Sequence, residues 1–222
     1  MPATDARRFR LIVFDWDGTL ADSTGIIAHS LQQACRDIGA PVPDDAAARH
    51  VIGLGIVDAL RHVAPTLTPD RYGELGGHYR ASYVAREAEI SLFDGVREML
   101  GDLDASGFLL AVATGKGRAG LERALTLQGL ENRFFATRCA DEGLPKPHPD
   151  MLLHLMDRAG VDADATLMIG DTTHDLELAR NAGAAAVAVT HGAHPAESLA
   201  QFGAIATVHS IAELWSWLRA NA

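Results

Sequence analysis

The sequence predicts an α/β fold, a doubly wound parallel sheet interrupted after its first strand by an all-helical segment. Two textures and their order carry this. Short apolar runs that stop abruptly at polar or glycine residues alternate with amphipathic stretches. Between the first and second runs, roughly residues 22–90 carry helix signals and no convincing strand. Runs of three to five apolar residues bounded by turn signals suit strands of a sheet covered on both faces. Alternation of such strands with helices is the pattern of a doubly wound domain.

The strand runs are residues 11–14 (LIVF), 109–113 (LLAVA), 167–169 (LMI) and 185–189 (AAVAV), with a weaker one at 134–136. Between them, residues 117–130 set Leu121, Leu125 and Leu127 among charges, and residues 148–159 do the same with Leu152, Leu155 and Met156. Residues 212–218 read as a closing helix with Trp215 and Leu218 facing the sheet. In the insert, Ile27, Leu31, Ala34, Cys35 and Ile38 mark one helix face, and Gly39 follows as its stop. Thr68 and Pro69 predict another helix start. The expected division is therefore a catalytic core of residues 1–21 and 91–222, with a cap of residues 22–90.

Composition narrows the function. The 222 residues carry 29 acids against 19 Lys and Arg, a formal net charge of -10. That balance disfavours nucleic acid and anionic membranes as partners. It leaves room for a small anionic substrate, because a metal ion and one lysine reverse the field inside a pocket. Cys35 and Cys139 stand alone, without the spacing of a disulfide or zinc framework. The opening MPATDARRFR lacks the long apolar stretch of a signal peptide, so the cytoplasm is expected. Oligomeric state leaves no mark in the sequence.

The chemistry collects where the strands end, which is where open parallel sheets bind ligands. The first run ends in Asp15-Trp16-Asp17-Gly18-Thr19, two carboxylates that need a cation or a proton once buried. The second ends in Thr114-Gly115-Lys116, a hydroxyl followed by backbone amides. Lys146 stands between Pro145 and Pro147 just ahead of a helix. The fourth ends in Gly170-Asp171-Thr172-Thr173-His174-Asp175, whose two acids lie one turn apart if a helix begins there. Paired carboxylates suit magnesium, which prefers oxygen ligands. A lysine, a hydroxyl and amides suit phosphoryl oxygens. One carboxylate can attack phosphorus while a second serves as acid and then base. Asp171 and Asp175 also fit a plainer role as helix cap and first-turn acid, and Lys116 and Arg118 fit either a solvated helix start or an anion contact.

In order and spacing, Asp15-Trp16-Asp17-Gly18-Thr19-Leu20, Thr114, Lys146 and Gly170-Asp171-Thr172-x-x-Asp175 resemble the haloacid-dehalogenase-like phosphohydrolases across almost the whole chain. The resemblance implies Asp15 as nucleophile, Asp17 as acid/base, and Thr114, Gly115 and Lys146 around the phosphoryl group. It also implies Mg²⁺ held by the Asp15 carboxylate, the Asp17 carbonyl and Asp171, with Asp175 in support. Position 115 is Gly where many relatives carry Asn, so any side-chain amide contact there is lost. The insert resembles the family's α-helical cap. Together with Asp22-Ser23 and Val51-Ile52-Gly53-Leu54-Gly55, it is most similar to the phosphoglycolate phosphatase and related pyrophosphatase branch. Gly53 and Gly55 are candidate substrate-selecting cap positions, with Arg49, His50 or Arg61 near enough in sequence to meet a carboxylate. The expected activity is hydrolysis of a small phosphomonoester, 2-phosphoglycolate first. A phosphomutase, pyrophosphatase or nucleotidase of the same fold stays open. Asp17 argues against a dehalogenase, which needs no proton donor to an ester oxygen. The intact motifs argue against a non-catalytic binding protein.

Overall fold

The computed structural model describes residues 8–222; residues 1–7, part of the expected core segment and of the opening read for a leader, lie outside them. Six strands form one parallel sheet: β1 (Leu11–Phe14), β2 (Leu109–Thr114), β3 (Ala136–Cys139), β4 (Thr166–Gly170), β5 (Ala185–Val189) and β6 (Ala206–Val208), in the order β3-β2-β1-β4-β5-β6. The chain therefore winds outward from β1 in one direction and then returns to its other side at β4. This reversal opens the crevice between the carboxyl ends of β1 and β4.

Why the runs lack alternation is plain from the packing. Ile12, Phe14, Leu110, Val112, Leu167, Ile169, Val187 and Val189 enter one hydrophobic cluster, while Leu11, Val13, Ala111, Ala113, Met168, Ala186 and Ala188 enter another on the opposite face. Both faces are covered, so every strand position prefers to be apolar. The second face is richer in alanine, and there helices α7 (Asp150–Ala159) and α8 (Thr173–Ala182) contribute Leu152, Leu155, Leu176 and Leu178. The first face receives α5 (Val96–Ala105), α6 (Arg118–Gln128) and α10 (Ile211–Asn221) through Met99, Leu121 and Leu214. On α10, Leu218 is buried as expected, while Trp215 is only partly buried and donates its indole N–H to Asp102.

Between β1 and α5 the described elements are helical: α1 (Thr24–Asp37), α2 (Asp45–His50), α3 (Ile56–Val63), α4 (Tyr72–Val84) and two short 3₁₀ turns. Helix α1 ends at Gly39, whose φ of +69° suits a residue without Cβ. Thr68-Pro69 opens a 3₁₀ turn over Pro69–Arg71, and α4 follows directly. The chain leaves and re-enters the sheet domain at one seam, where Asp22 N–H donates to Ser91 O (2.9 Å) and Phe93 N–H to Leu20 O (3.0 Å).

Two strands differ from expectation. The run at 134–136 is the approach to β3, which lies at 136–139 with Thr137 and Arg138 half-buried. An edge strand presents one side to water and so tolerates polar residues that break an apolar run. Strand β6 is the other edge, three residues long and too short to carry a pattern.

Candidate active site

Strand ends place Asp15, Thr114 and Asp171 at the rim, and the loop between β3 and α7 brings Lys146 to them. Asp15 continues β1 by one more ladder bond, its N–H donating to Ile169 O (2.9 Å), and it is fully buried. Gly18 then reverses the chain at φ +84°, and a Cβ there would collide with the Asp171 carboxylate. The turn thus brings the first motif against Asp171 at the end of β4. Thr19 Oγ1 donates to Asp171 Oδ1 (2.7 Å), and Ala193 N–H donates to its Oδ2 (2.7 Å). The helix begins at Thr173, two residues past Asp171. Thr172 and Asp175 form a capping box, in which Asp175 Oδ2 accepts from Thr172 N (3.1 Å) and Oγ1 (2.6 Å). The capping role for Asp175 is therefore real, yet its Oδ1 also accepts from Lys146 Nζ (2.6 Å). It serves the helix and the site together.

Lys146 Nζ bridges Asp175 and Asp15 Oδ1 (2.8 Å), with the whole side chain buried. Burial alone would lower the lysine's affinity for its proton, but Asp15 and Asp175 reverse this and raise it. For Asp15, burial is the main cause of a raised pKa; Lys146 opposes it, and Asp175, Asp171 and Asp17 add to it. Asp171 is raised to about 7, first by burial and then by Asp175. One ammonium thus serves a cluster of buried acids, and Asp15 Oδ2 has no hydrogen-bond partner among the described residues. Asp15, Asp171 and Asp175 each offer a carboxylate oxygen within 4.8 Å of the others. A hard divalent cation fits this donor set: oxygen-only, crowded, and short of positive charge.

Thr114 is fully buried at the end of β2, and its hydroxyl accepts from Lys116 N (3.2 Å). Gly115 lies directly beneath the α2–α3 loop: a Cβ there would stand 2.5 Å from Leu54 O and 2.6 Å from Gly53 O. Gly53 itself, at φ +92°, faces the Thr172 side chain, and Gly55 begins α3 against Pro145. The loop thus touches three of the four strand-end segments at once. Asp17, two residues after Asp15, accepts from Ser23 Oγ (2.6 Å) and Lys116 Nζ (3.0 Å). Lys116 also donates to Tyr83 OH on α4 (2.8 Å). Its pKa is raised: burial works against the charge, but Asp17 and then Tyr83 and Tyr79 more than offset it.

The basic candidates of the helical insert have partners of their own. Arg49 is tied to Asp45 (2.8 Å) and Thr24 (3.0 Å), and Arg61 is exposed near Asp58. His50 stacks on His194 (centroids 5.1 Å apart), and its carbonyl accepts from the His174 and His194 rings (3.0 Å each). Arg118 pairs with Glu142 (2.7 Å), away from the acids. The residues whose placement sequence reading left open or unassigned are Lys116, Ser23 and Tyr83. Ser23 directly follows the motif and was within reach of it; Lys116 and Tyr83 meet only through the tertiary fold.

Comparison with known proteins agrees with this architecture. Residues 12–189 match the model of the family described as haloacid dehalogenase-like hydrolase. The probable phosphatase IndB of Dickeya dadantii is 40% identical over 194 residues, covering 85% of this chain and 84% of its own. The phosphoglycolate phosphatase of Vibrio cholerae is 30% identical over 204 residues, covering 87% and 90%. The crystal structure of a predicted phosphoglycolate phosphatase from Haemophilus somnus superposes with a TM-score of 0.83 at 26% identity, covering 95% of this chain and 98% of that one.

Proposed function

Because this chain belongs to the haloacid dehalogenase-like hydrolases, among that family's phosphatases, we propose that it hydrolyses a small phosphomonoester through an aspartyl phosphate on Asp15, with 2-phosphoglycolate as its substrate. The observation that carries the reading is the state of Asp15. It is a fully buried carboxylate at the switch point of the sheet, with one oxygen held by Lys146 at 2.8 Å and the other without a partner among the described residues.

The roles follow from position. The Asp15 carboxylate forms a bond to phosphorus as the ester P–O bond breaks, and Asp17 gives the departing oxygen its proton. Water then attacks the phosphorus of the acyl phosphate, Asp17 takes up the proton, and inorganic phosphate leaves with Asp15 restored. Thr114, the Gly115 amide and Lys146 hold the phosphoryl oxygens, and Lys146 also fixes the rotamer of Asp15. Mg²⁺ would be held by the Asp15 carboxylate, the Asp17 carbonyl and Asp171, with Asp175 acting through Lys146; when bound it neutralises charge on the phosphoryl oxygens. Residues 22–90 act as a cap on a core of residues 1–21 and 91–222, a division supported by the single seam at Asp22–Ser91 and Leu20–Phe93. Gly53 and Gly55 bring cap backbone over the rim. Closure of so small a cap suits a small leaving group. No helix among the described residues is long and apolar enough to cross a membrane, and with two free thiols we place the protein in the cytoplasm.

Phosphate release across a metabolite panel, with Mg²⁺ and with excess EDTA, tests this reading. The expected result is Mg²⁺-dependent release with 2-phosphoglycolate ranked first. Full activity in EDTA overturns the metal assignment. A sugar phosphate preferred tenfold or more over 2-phosphoglycolate overturns the substrate.

A further inference from the structure

Among the described residues, Lys116 is the one buried lysine or arginine at the rim that the proposed mechanism does not use. Its side chain is 10% exposed and that of Asp17 9%, with 3.0 Å between Nζ and Oδ1. A hydroxyl from α4 completes the clamp: Tyr83 OH accepts from Nζ at 2.8 Å, and the Tyr83 ring centroid lies 4.6 Å from it. A buried ammonium of this kind needs an anionic partner, because neutral oxygens and a ring face only partly replace its lost hydration.

Asp17 is a partner with another task. To serve the ester oxygen it must turn its carboxyl toward the phosphoryl group at Asp15. Turning Oδ1 toward that oxygen breaks its contacts with Lys116 and Ser23 and leaves the Lys116 ammonium with Tyr83. A substrate whose leaving group carries its own anion just beyond the ester oxygen removes this cost, while a neutral leaving group does not. Arg49 and Arg61, the other cationic candidates, are engaged with Asp45 and Thr24 or exposed near Asp58.

We infer that Lys116, held by Tyr83, is the specificity determinant of this site: it exchanges Asp17 for a carboxylate one methylene away from the ester oxygen of the substrate. The inference rests on the phosphatase reading above and names the residue behind its substrate class. Selection here acts by charge balance, since the penalty falls on every ester that fails to bring an anion.

The test measures kcat/KM for 2-phosphoglycolate and for ethyl phosphate, which lacks only the carboxylate's two oxygens and its charge, on the same preparations of wild type and Lys116→Met. Wild type should prefer 2-phosphoglycolate strongly, and Lys116→Met should reduce that preference about thirtyfold or more, the scale of one charge-assisted contact. Tyr83→Phe keeps the ring and removes the hydroxyl; it should reduce the preference several-fold and stands in should the lysine variant fold poorly. An equal loss on both esters in the lysine variant means that Lys116 acts only through Asp17, and overturns the inference while leaving the phosphatase reading intact. A wild type without preference for the anionic ester overturns both the inference and the choice of substrate.

Discussion

Gly115 offers a steric test of how the α2–α3 loop meets the end of β2. In Gly115→Ala the new Cβ would stand 2.5 Å from Leu54 O and 2.6 Å from Gly53 O. Ordinary van der Waals contact then requires the α2–α3 loop to withdraw by about 1 Å. Overpacking of this kind costs about 1–3 kcal/mol. The loop meets Gly115 through its backbone carbonyls, so it yields by moving as a whole. The cost should therefore fall on the closed state, lowering kcat/KM for 2-phosphoglycolate by about 5- to 150-fold. Thermal stability should fall less than activity, because the sheet is untouched and only Val51 and Ile52 of the loop belong to a hydrophobic cluster. Steady-state kinetics beside a melting curve separate the two effects. A variant with native kcat/KM and native Tm would refute the proposed seat, and so would one whose Tm falls while its activity per folded molecule is unchanged.

Other outcomes follow from the same geometry. Lys146→Met leaves Asp15 and Asp175 without their shared ammonium; it should cost at least about 2 kcal/mol in kcat/KM, and near-native kinetics would remove Lys146 from the site. Asp17→Asn should slow formation of the aspartyl phosphate less for esters with good leaving groups than for poor ones, because they need less protonation; equal losses in single-turnover measurements would remove the acid role. Asp171, raised to about 7 from 3.8, keeps its proton in the folded chain where the unfolded chain has released it. In chelator its ionisation should therefore reduce wild-type stability progressively as pH rises from about 4 to about 7, by something on the order of 4 kcal/mol. His174, lowered to about 4 by burial, acts in the opposite sense between about 6.5 and 4, so the readout is the difference between Asp171→Asn and wild type in urea unfolding. That difference should move in the variant's favour across the window; a flat difference would mean Asp171 is not strained in the metal-free fold.

The sheet's inner strands and the rim were legible for one physical reason. A strand buried on both faces writes an apolar run, and the first polar residue beyond it must be there for something else. Asp15, Thr114 and Asp171 each announce themselves in this way. Strands β3 and β6 did not, because an edge tolerates Thr137 and Arg138, and the visible run at Phe134-Phe135 is the loop leading in. Lys116 was illegible for a different reason. Nothing beside it in sequence distinguishes it from a solvated helix start; its burial is made by Tyr83, thirty-three residues earlier on α4. The missing Asn at 115 could be read as a loss from the sequence, whereas the structure gives the space to the Gly53 and Leu54 carbonyls. Composition and spacing report strand ends well, and they report contacts between the insert and the sheet poorly, since neither partner carries a local pattern.

In the proposed reaction Asp15 itself carries the phosphoryl group. Rapid acid quench of the Mg²⁺-loaded enzyme with phosphorus-labelled 2-phosphoglycolate, followed by peptide mapping, addresses it directly. A transient, hydroxylamine-labile label is expected on the peptide containing Asp15, absent from Asp15→Asn and formed and consumed at rates compatible with turnover. Turnover with no protein-bound phosphoryl group under the same quench, or a competent label on any other residue, would contradict it.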